Sequence, residues 1–147
     1  MKYFMYFSLT GNGDYLASLY QEAGYTPVKV ELVKPVKKVG FFTILKYGGR
    51  AGFNKKEKLK PLEVEFKEDD EVVIGSPIWN DRLSTSITTI LRQQEFNKEN
   101  TLFVLYPAGN GTKKSLKQIL KYGYTKEPIV ISSPLKNQDK VKDLLGL

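Results

Sequence analysis

Five times along this chain a short apolar run gives way to the spacing of an amphipathic helix, and that alternation narrows the folds open to it. Tyr3–Phe7, Pro27–Val33, Glu71–Gly75, Thr101–Tyr106 and Ile129–Ile131 read as strands. Leu16, Leu19, Tyr20 and Ala23 share one helical face, as do Leu83, Ile87, Ile90 and Leu91, then Leu116, Ile119 and Leu120, and finally Val141, Leu144 and Leu145 within Asn137–Leu145. Gly40–Tyr47 reads as a further helix stopped by Gly48-Gly49, and the alternating Leu62–Phe66 as a short extended piece. Strands that alternate with helices form a parallel sheet covered on both faces, because crossovers are right-handed. The expected class is therefore α/β, three layers, doubly wound, with residues 1–147 as one domain.

In such sheets ligands sit beyond the carboxyl ends of the strands. The three loops of most distinctive composition, Ser8–Asp14, Ser76–Asp81 and Tyr106–Thr112, follow strands one, three and four and are expected to converge at that edge. The first reads Ser8-Leu9-Thr10-Gly11-Asn12-Gly13-Asp14 and runs straight into a helix. Its hydroxyls, its amides and the positive end of the helix dipole suit one phosphate. It matches neither the dinucleotide nor the nucleoside-triphosphate glycine pattern. The second loop, Gly75-Ser76-Pro77-Ile78-Trp79-Asn80-Asp81, carries the only tryptophan, a flat apolar surface for a planar ring. The third, Tyr106-Pro107-Ala108-Gly109-Asn110-Gly111, lets backbone amides come close to a ligand and offers a second aromatic wall in Tyr106.

Composition removes several chemistries. With no cysteine and no histidine, the chain has no disulfide, no thiol redox couple, no Cys/His zinc site and no imidazole base. Catalysis would fall to a cofactor or to carboxylates, hydroxyls and lysines. No apolar run nears the roughly 20 residues that span a bilayer. The chain opens directly into a strand, so no membrane association and a cytoplasmic location are expected. The net charge of +7 is concentrated: Lys34–Lys60 carries nine basic residues against Glu57 alone, or +8, and the rest sums to −1. A solvated connection explains such a run most simply, and a docking patch for an acidic partner is the functional alternative.

A phosphate cradle, an indole and a glycine-rich loop at one edge describe a site for a mononucleotide with a large planar base. Here the chain resembles the flavodoxin-like FMN-binding proteins. Ser8-Leu9-Thr10-Gly11-Asn12 is similar to their phosphate loop, Gly75-Ser76-Pro77-Ile78-Trp79 to the loop on one face of the isoalloxazine ring, and Tyr106–Gly111 to the third flavin loop. Gly48-Gly49 and Leu59-Lys60-Pro61-Leu62 resemble a shorter branch, the short-chain flavodoxins. Gly13-Asp14 stands where that family commonly closes the phosphate loop with threonine, and Asn80-Asp81 where it commonly places glycine.

The resemblance implies a five-stranded sheet of order 2-1-3-4-5, non-covalent FMN and electron transfer. The implied cofactor contacts are Ser8, Thr10, Gly11, Asn12, Gly13, Asp14, Pro77, Ile78, Trp79, Asn80, Tyr106, Pro107, Ala108, Gly109, Asn110 and Gly111, with no catalytic side chain and no metal ligand. An acidic redox partner would meet Lys34, Lys37 and Lys38. The alternatives are an FMN-dependent NAD(P)H reductase passing electrons to a quinone or other acceptor, and a domain of this fold that lost tight FMN binding and serves as a scaffold. Nucleic acid is not an expected partner, since no recognised binding motif accompanies the basic run.

Overall fold

The computed structural model describes residues 1–36, 40, 46, 49, 56–109 and 111–147. Five parallel strands build the sheet: β1 (Lys2–Tyr6), β2 (Thr26–Lys29), β3 (Glu71–Trp79), β5 (Thr101–Pro107) and β6 (Ile129–Val130), in the order β2-β1-β3-β5-β6. A two-residue strand, β4 (Arg82–Leu83), folds back antiparallel on the end of β3. With β4 set aside, this is the expected 2-1-3-4-5 order of the flavodoxin-like class.

Among the described residues four helices cover the sheet: α1 (Asn12–Glu22), α2 (Thr85–Gln93), α3 (Lys113–Lys121) and α4 (Gln138–Leu145). Strand alternation divides the core between the two faces. Met5, Ile74 and Phe103, in register across β1, β3 and β5, pack with Ile87, Ile90 and Ile119 of α2 and α3. Phe4, Val73 and Val104 turn the other way, onto Leu16, Leu19 and Tyr20 of α1 and Val141 and Leu145 of α4. Burial on both faces explains why the central strands read as continuous apolar runs rather than alternating ones.

Two expectations change. Regular pairing of β2 ends at Lys29; beyond it Leu32 bridges antiparallel to Leu59, with Val33 N–H donating to Lys58 O and Lys60 N–H to Glu31 O. Leu62–Phe66 is not a strand; Leu62, Val64 and Phe66 instead lie against the core, Phe66 edge-on to Tyr3 and Phe96. The helix expected over Gly40–Tyr47 and its Gly48-Gly49 stop lie outside the described residues, single positions apart. Among the described residues no helix is long and apolar enough to cross a membrane.

Candidate functional site

Adjacent strands β1, β3 and β5 deliver their three following segments to one edge of the sheet. The first loop is held by its own side chains. Ser8 Oγ accepts from Gly13 N–H at 3.1 Å, and Asn12 Nδ2 donates to Thr10 Oγ1 at 3.2 Å. Each hydroxyl thus accepts within the loop and keeps its proton for an acceptor outside it. Gly11, at φ +89°, caps α1 with no side chain, so the first-turn amide of Asn12 has no covering cap. Two hydroxyl donors at a helix N-terminus match the donor set an anion requires.

Gly13 has a steric cause. A Cβ there would sit 2.7 Å from Tyr106 Oη, 2.8 Å from Ser8 Cβ and 2.9 Å from Tyr6 Cδ2. Threonine is therefore excluded by the tyrosine beneath the loop. Tyr106 is 3% exposed, and its hydroxyl donates to Phe7 O. Complete burial pushes the Tyr106 phenol far up, so it stays protonated and keeps this bond. Asp14 turns back onto the sheet, where Oδ1 accepts from Tyr6 Oη at 3.0 Å and pairs with Lys29 Nζ at 2.6 Å. Its charge is thus compensated beside the cradle. Burial, and then the Asp14 carboxylate, raise the Tyr6 phenol in turn.

The second segment is not a loop. β3 runs unbroken through Ser76, Pro77 and Ile78 to Trp79, pairing Pro77 with Tyr106 and Ile78 with Pro107 of β5. Proline fits because the β1 ladder ends with Tyr6 and Gly75, and the next carbonyl, Phe7 O, takes its donor from the Tyr106 hydroxyl. Asn80 (φ 49°) and Asp81 (φ 63°) then make a two-residue turn, both left-handed, leading into β4. That is the type I′ pattern, which matches strand twist and suits Asn and Asp. Asp81 also grips α3: its carbonyl accepts from Ser115 N–H at 2.8 Å and Oδ2 from Lys114 N–H at 3.3 Å. The hairpin is pinned to a helix N-terminus. Trp79 stands half-buried at its base, edge-on to Phe7 with ring centroids 5.9 Å apart.

The third segment leaves β5 at buried Pro107 and exposes Ala108 and Gly109; Gly111 is exposed as well, and Asn110 lies outside the described residues. A fourth segment, unremarkable in sequence, locks the others together. Ser133 N–H donates to Pro107 O, and the Ser132 and Ser133 hydroxyls reach Ala108 O. The turn Pro134–Lys136 follows, and Leu135 N–H donates to Asn12 Oδ1 at 3.1 Å. Ser133 adopts φ 46° to make that connection, a strained geometry for a residue bearing a Cβ.

The structure thus brings Ser8, Thr10, Gly11, Asn12, Trp79, Asn80, Ala108, Gly109 and Gly111 to one edge. Six expected contacts have other surroundings: Gly13, Pro77, Ile78, Tyr106 and Pro107 are packed inside, and Asp14 faces Lys29. Tyr106 is therefore a support beneath the cradle and not an aromatic wall of the site. Asp81 and Ser132–Leu135 are the positioning residues that the motifs did not reveal. A polar cavity of about 260 Å³ opens on the β2 side of the first loop, lined by Ser8, Leu9, Asp14, Lys29, Glu31 and Leu32 among others. Lys34 lies beyond it, exposed, while Lys37 and Lys38 fall outside the described residues.

No family model matches this sequence, and no curated protein matches it at significant similarity. Solved structures do. A flavoprotein from Lactobacillus acidophilus NCFM in complex with FMN is similar at a TM-score of 0.62 and 17% identity, covering 95% of this chain and 98% of that one. Two Bacteroides proteins assigned as flavoproteins are similar too. The one from B. eggerthii gives 0.64 and 17% over 99% of this chain and 98% of its own; the one from B. uniformis gives 0.65 and 16% over 96% and 97%. At such identities the likeness establishes a shared fold.

Proposed function

We infer that this chain binds FMN non-covalently and carries electrons. The observation that supports this most is the meeting of two hydroxyl donors and the uncovered Asn12 amide of the α1 N-terminus, at the end of β1, with a half-buried indole at the end of β3, its neighbour in the sheet. The similarity to a flavoprotein crystallised with FMN points the same way. Ser8 and Thr10, with the amides of Gly11 and Asn12, hold the phosphate; each hydroxyl bond to a charged phosphate is worth roughly 1.5–3 kcal/mol. Trp79 offers its face to the ring, and the backbone at Asn80, Gly109 and Asn110 addresses the polar edge. Bound flavin supplies one- and two-electron chemistry, while the chain sets its affinity, potential and access. The basic balance favours an anionic reduced cofactor, so the two-electron midpoint potential lies above that of acidic carriers of this fold. Lys34, with Lys37 and Lys38 next in sequence, forms the docking patch for an acidic redox partner.

The test is direct. Protein purified with excess FMN and then desalted retains a yellow flavin spectrum with quenched Trp79 fluorescence. A colourless sample after saturation overturns the cofactor reading in favour of a scaffold. Rapid bleaching on NAD(P)H alone, without a partner, replaces the carrier reading with a reductase.

A further inference from the structure

The extension beyond β2 builds a second concavity. Where Leu32 bridges to Leu59, the bonds Val33 N–H to Lys58 O (2.9 Å) and Lys60 N–H to Glu31 O (2.8 Å) clamp residues 31–33 against 58–60. Beside this clamp lies a cavity of about 470 Å³ lined by Leu32, Val33, Lys34, Lys46, Lys56, Glu57 and Lys58. Four of these seven residues are lysines. Among the described lysines Lys2, Lys29, Lys60 and Lys142 pair with a carboxylate, at 3.2, 2.6, 3.7 and 3.1 Å, whereas Lys113 and Lys117 on α3 do not. Among the described residues no carboxylate pairs with Lys34, Lys46, Lys56 or Lys58. The carboxylate of Glu57, the one acid among the described lining residues, accepts from Thr85 Oγ1 at 2.8 Å, while Glu57 N–H donates to Thr89 Oγ1 at 3.0 Å, so Glu57 is moored to α2.

Four lysines against one glutamate give the hollow a surplus of positive charge, which a multiply charged anion offsets. The volume falls within the roughly 300–1,000 Å³ typical of small-molecule sites. Val33, 52% exposed, and Leu32 give it an apolar wall. We propose that this cavity is a second binding site, for a phosphorylated small molecule of charge −2 or more, such as a nucleoside diphosphate. The phosphates sit among the lysines, and the organic part rests on Leu32 and Val33. None of these residues belongs to the FMN loops, so the two sites stand or fall separately.

The experiment is a calorimetric titration of the protein, loaded with FMN and then desalted so that no free FMN competes, with ADP, inorganic pyrophosphate and adenosine. ADP and pyrophosphate bind with 1:1 stoichiometry and weaken as salt rises, because exposed charge pairs are screened. Adenosine binds at least tenfold more weakly than ADP. The double variant Lys56→Gln/Lys58→Gln raises the Kd for both anions at least tenfold, whereas Lys113→Gln/Lys117→Gln on α3 leaves it within twofold. Urea midpoints of both variants confirm that they fold. Absence of saturable binding, a stoichiometry above one, adenosine binding equal to ADP, or equal weakening by the α3 pair overturns the proposal. If FMN itself fails to bind, the same titrations still decide the lysine site.

Discussion

Replacing Gly13 by alanine isolates the packing that sets the shape of the first loop. In most helices this change stabilises, since glycine costs about 0.8–1.0 kcal/mol relative to alanine. Here the added Cβ meets Tyr106 Oη, Ser8 Cβ and Tyr6 Cδ2, all inside 3.0 Å. Overpacking of that kind costs about 1–3 kcal/mol, and displacing Tyr106 leaves Phe7 O without its donor, a further ~1–3 kcal/mol. Set against the helix gain, Gly13→Ala destabilises by roughly 2–3 kcal/mol, a Tm loss of roughly 5–10 °C at this chain length. The assay is urea unfolding at constant m-value. Tyr106→Phe, which removes the closest clashing atom, costs about 1 kcal/mol alone. In that background the alanine penalty shrinks, though contacts with Ser8 and Tyr6 remain, giving a coupling of about 1–2 kcal/mol. A neutral or stabilising Gly13→Ala, or additivity with Tyr106→Phe within about 0.5 kcal/mol, refutes the reasoning.

Other perturbations have equally definite outcomes. Asn80→Gly is close to neutral while Asn80→Ala costs about 1 kcal/mol, since a left-handed turn tolerates glycine and penalises a Cβ; equal denaturant midpoints would remove the turn argument. Trp79→Ala raises the Kd for FMN roughly tenfold in a fluorescence titration, the loss of one stacking face being worth about 1–3 kcal/mol, and an unchanged Kd would put the ring elsewhere. Glu71 is held below its ordinary 4.5 chiefly by the Tyr25 hydroxyl, with Lys2 adding, so its contribution is present above pH 4.5 and lost as pH falls through the lower folded value. Tyr25 is pushed up to about 12 by burial and then by Glu71, so its contribution is full below pH 10 and is lost between 10 and 12. Tyr25→Phe flattens the urea midpoint at both ends of a pH series; identical profiles for variant and parent would count against the pair.

Periodicity and strand–helix alternation were enough to read the sheet and its order, because both are local signals repeated along the chain. Boundaries at the site were not legible, because contacts remote in sequence set them. Ser76-Pro77 reads as a strand stop, since proline withholds a donor, yet β3 has outrun the β1 ladder there and the Tyr106 hydroxyl serves Phe7 O instead. Asn80-Asp81 stands where glycine is expected, and only the paired left-handed dihedrals show how the turn is kept. Gly13 looks like a weakened cradle until Tyr106 is seen beneath it, ninety-three positions further along. The bonds from Ser132–Leu135 join segments remote in sequence and leave no pattern of residue types. The lysine run reads as a solvated connection, and its concave part emerges only once Leu32 meets Leu59.

The clasp between Leu135 and Asn12 spans 123 positions, so ribosomal synthesis supplies its two halves far apart in time. A nascent chain holding only the early strands has the hydroxyls but lacks the lashing that shapes them. The fully fastened cradle is consequently complete only once the last crossover has formed. Loss of the final turns, by nicking or premature termination, removes this clasp and leaves the first loop to its own side-chain bonds.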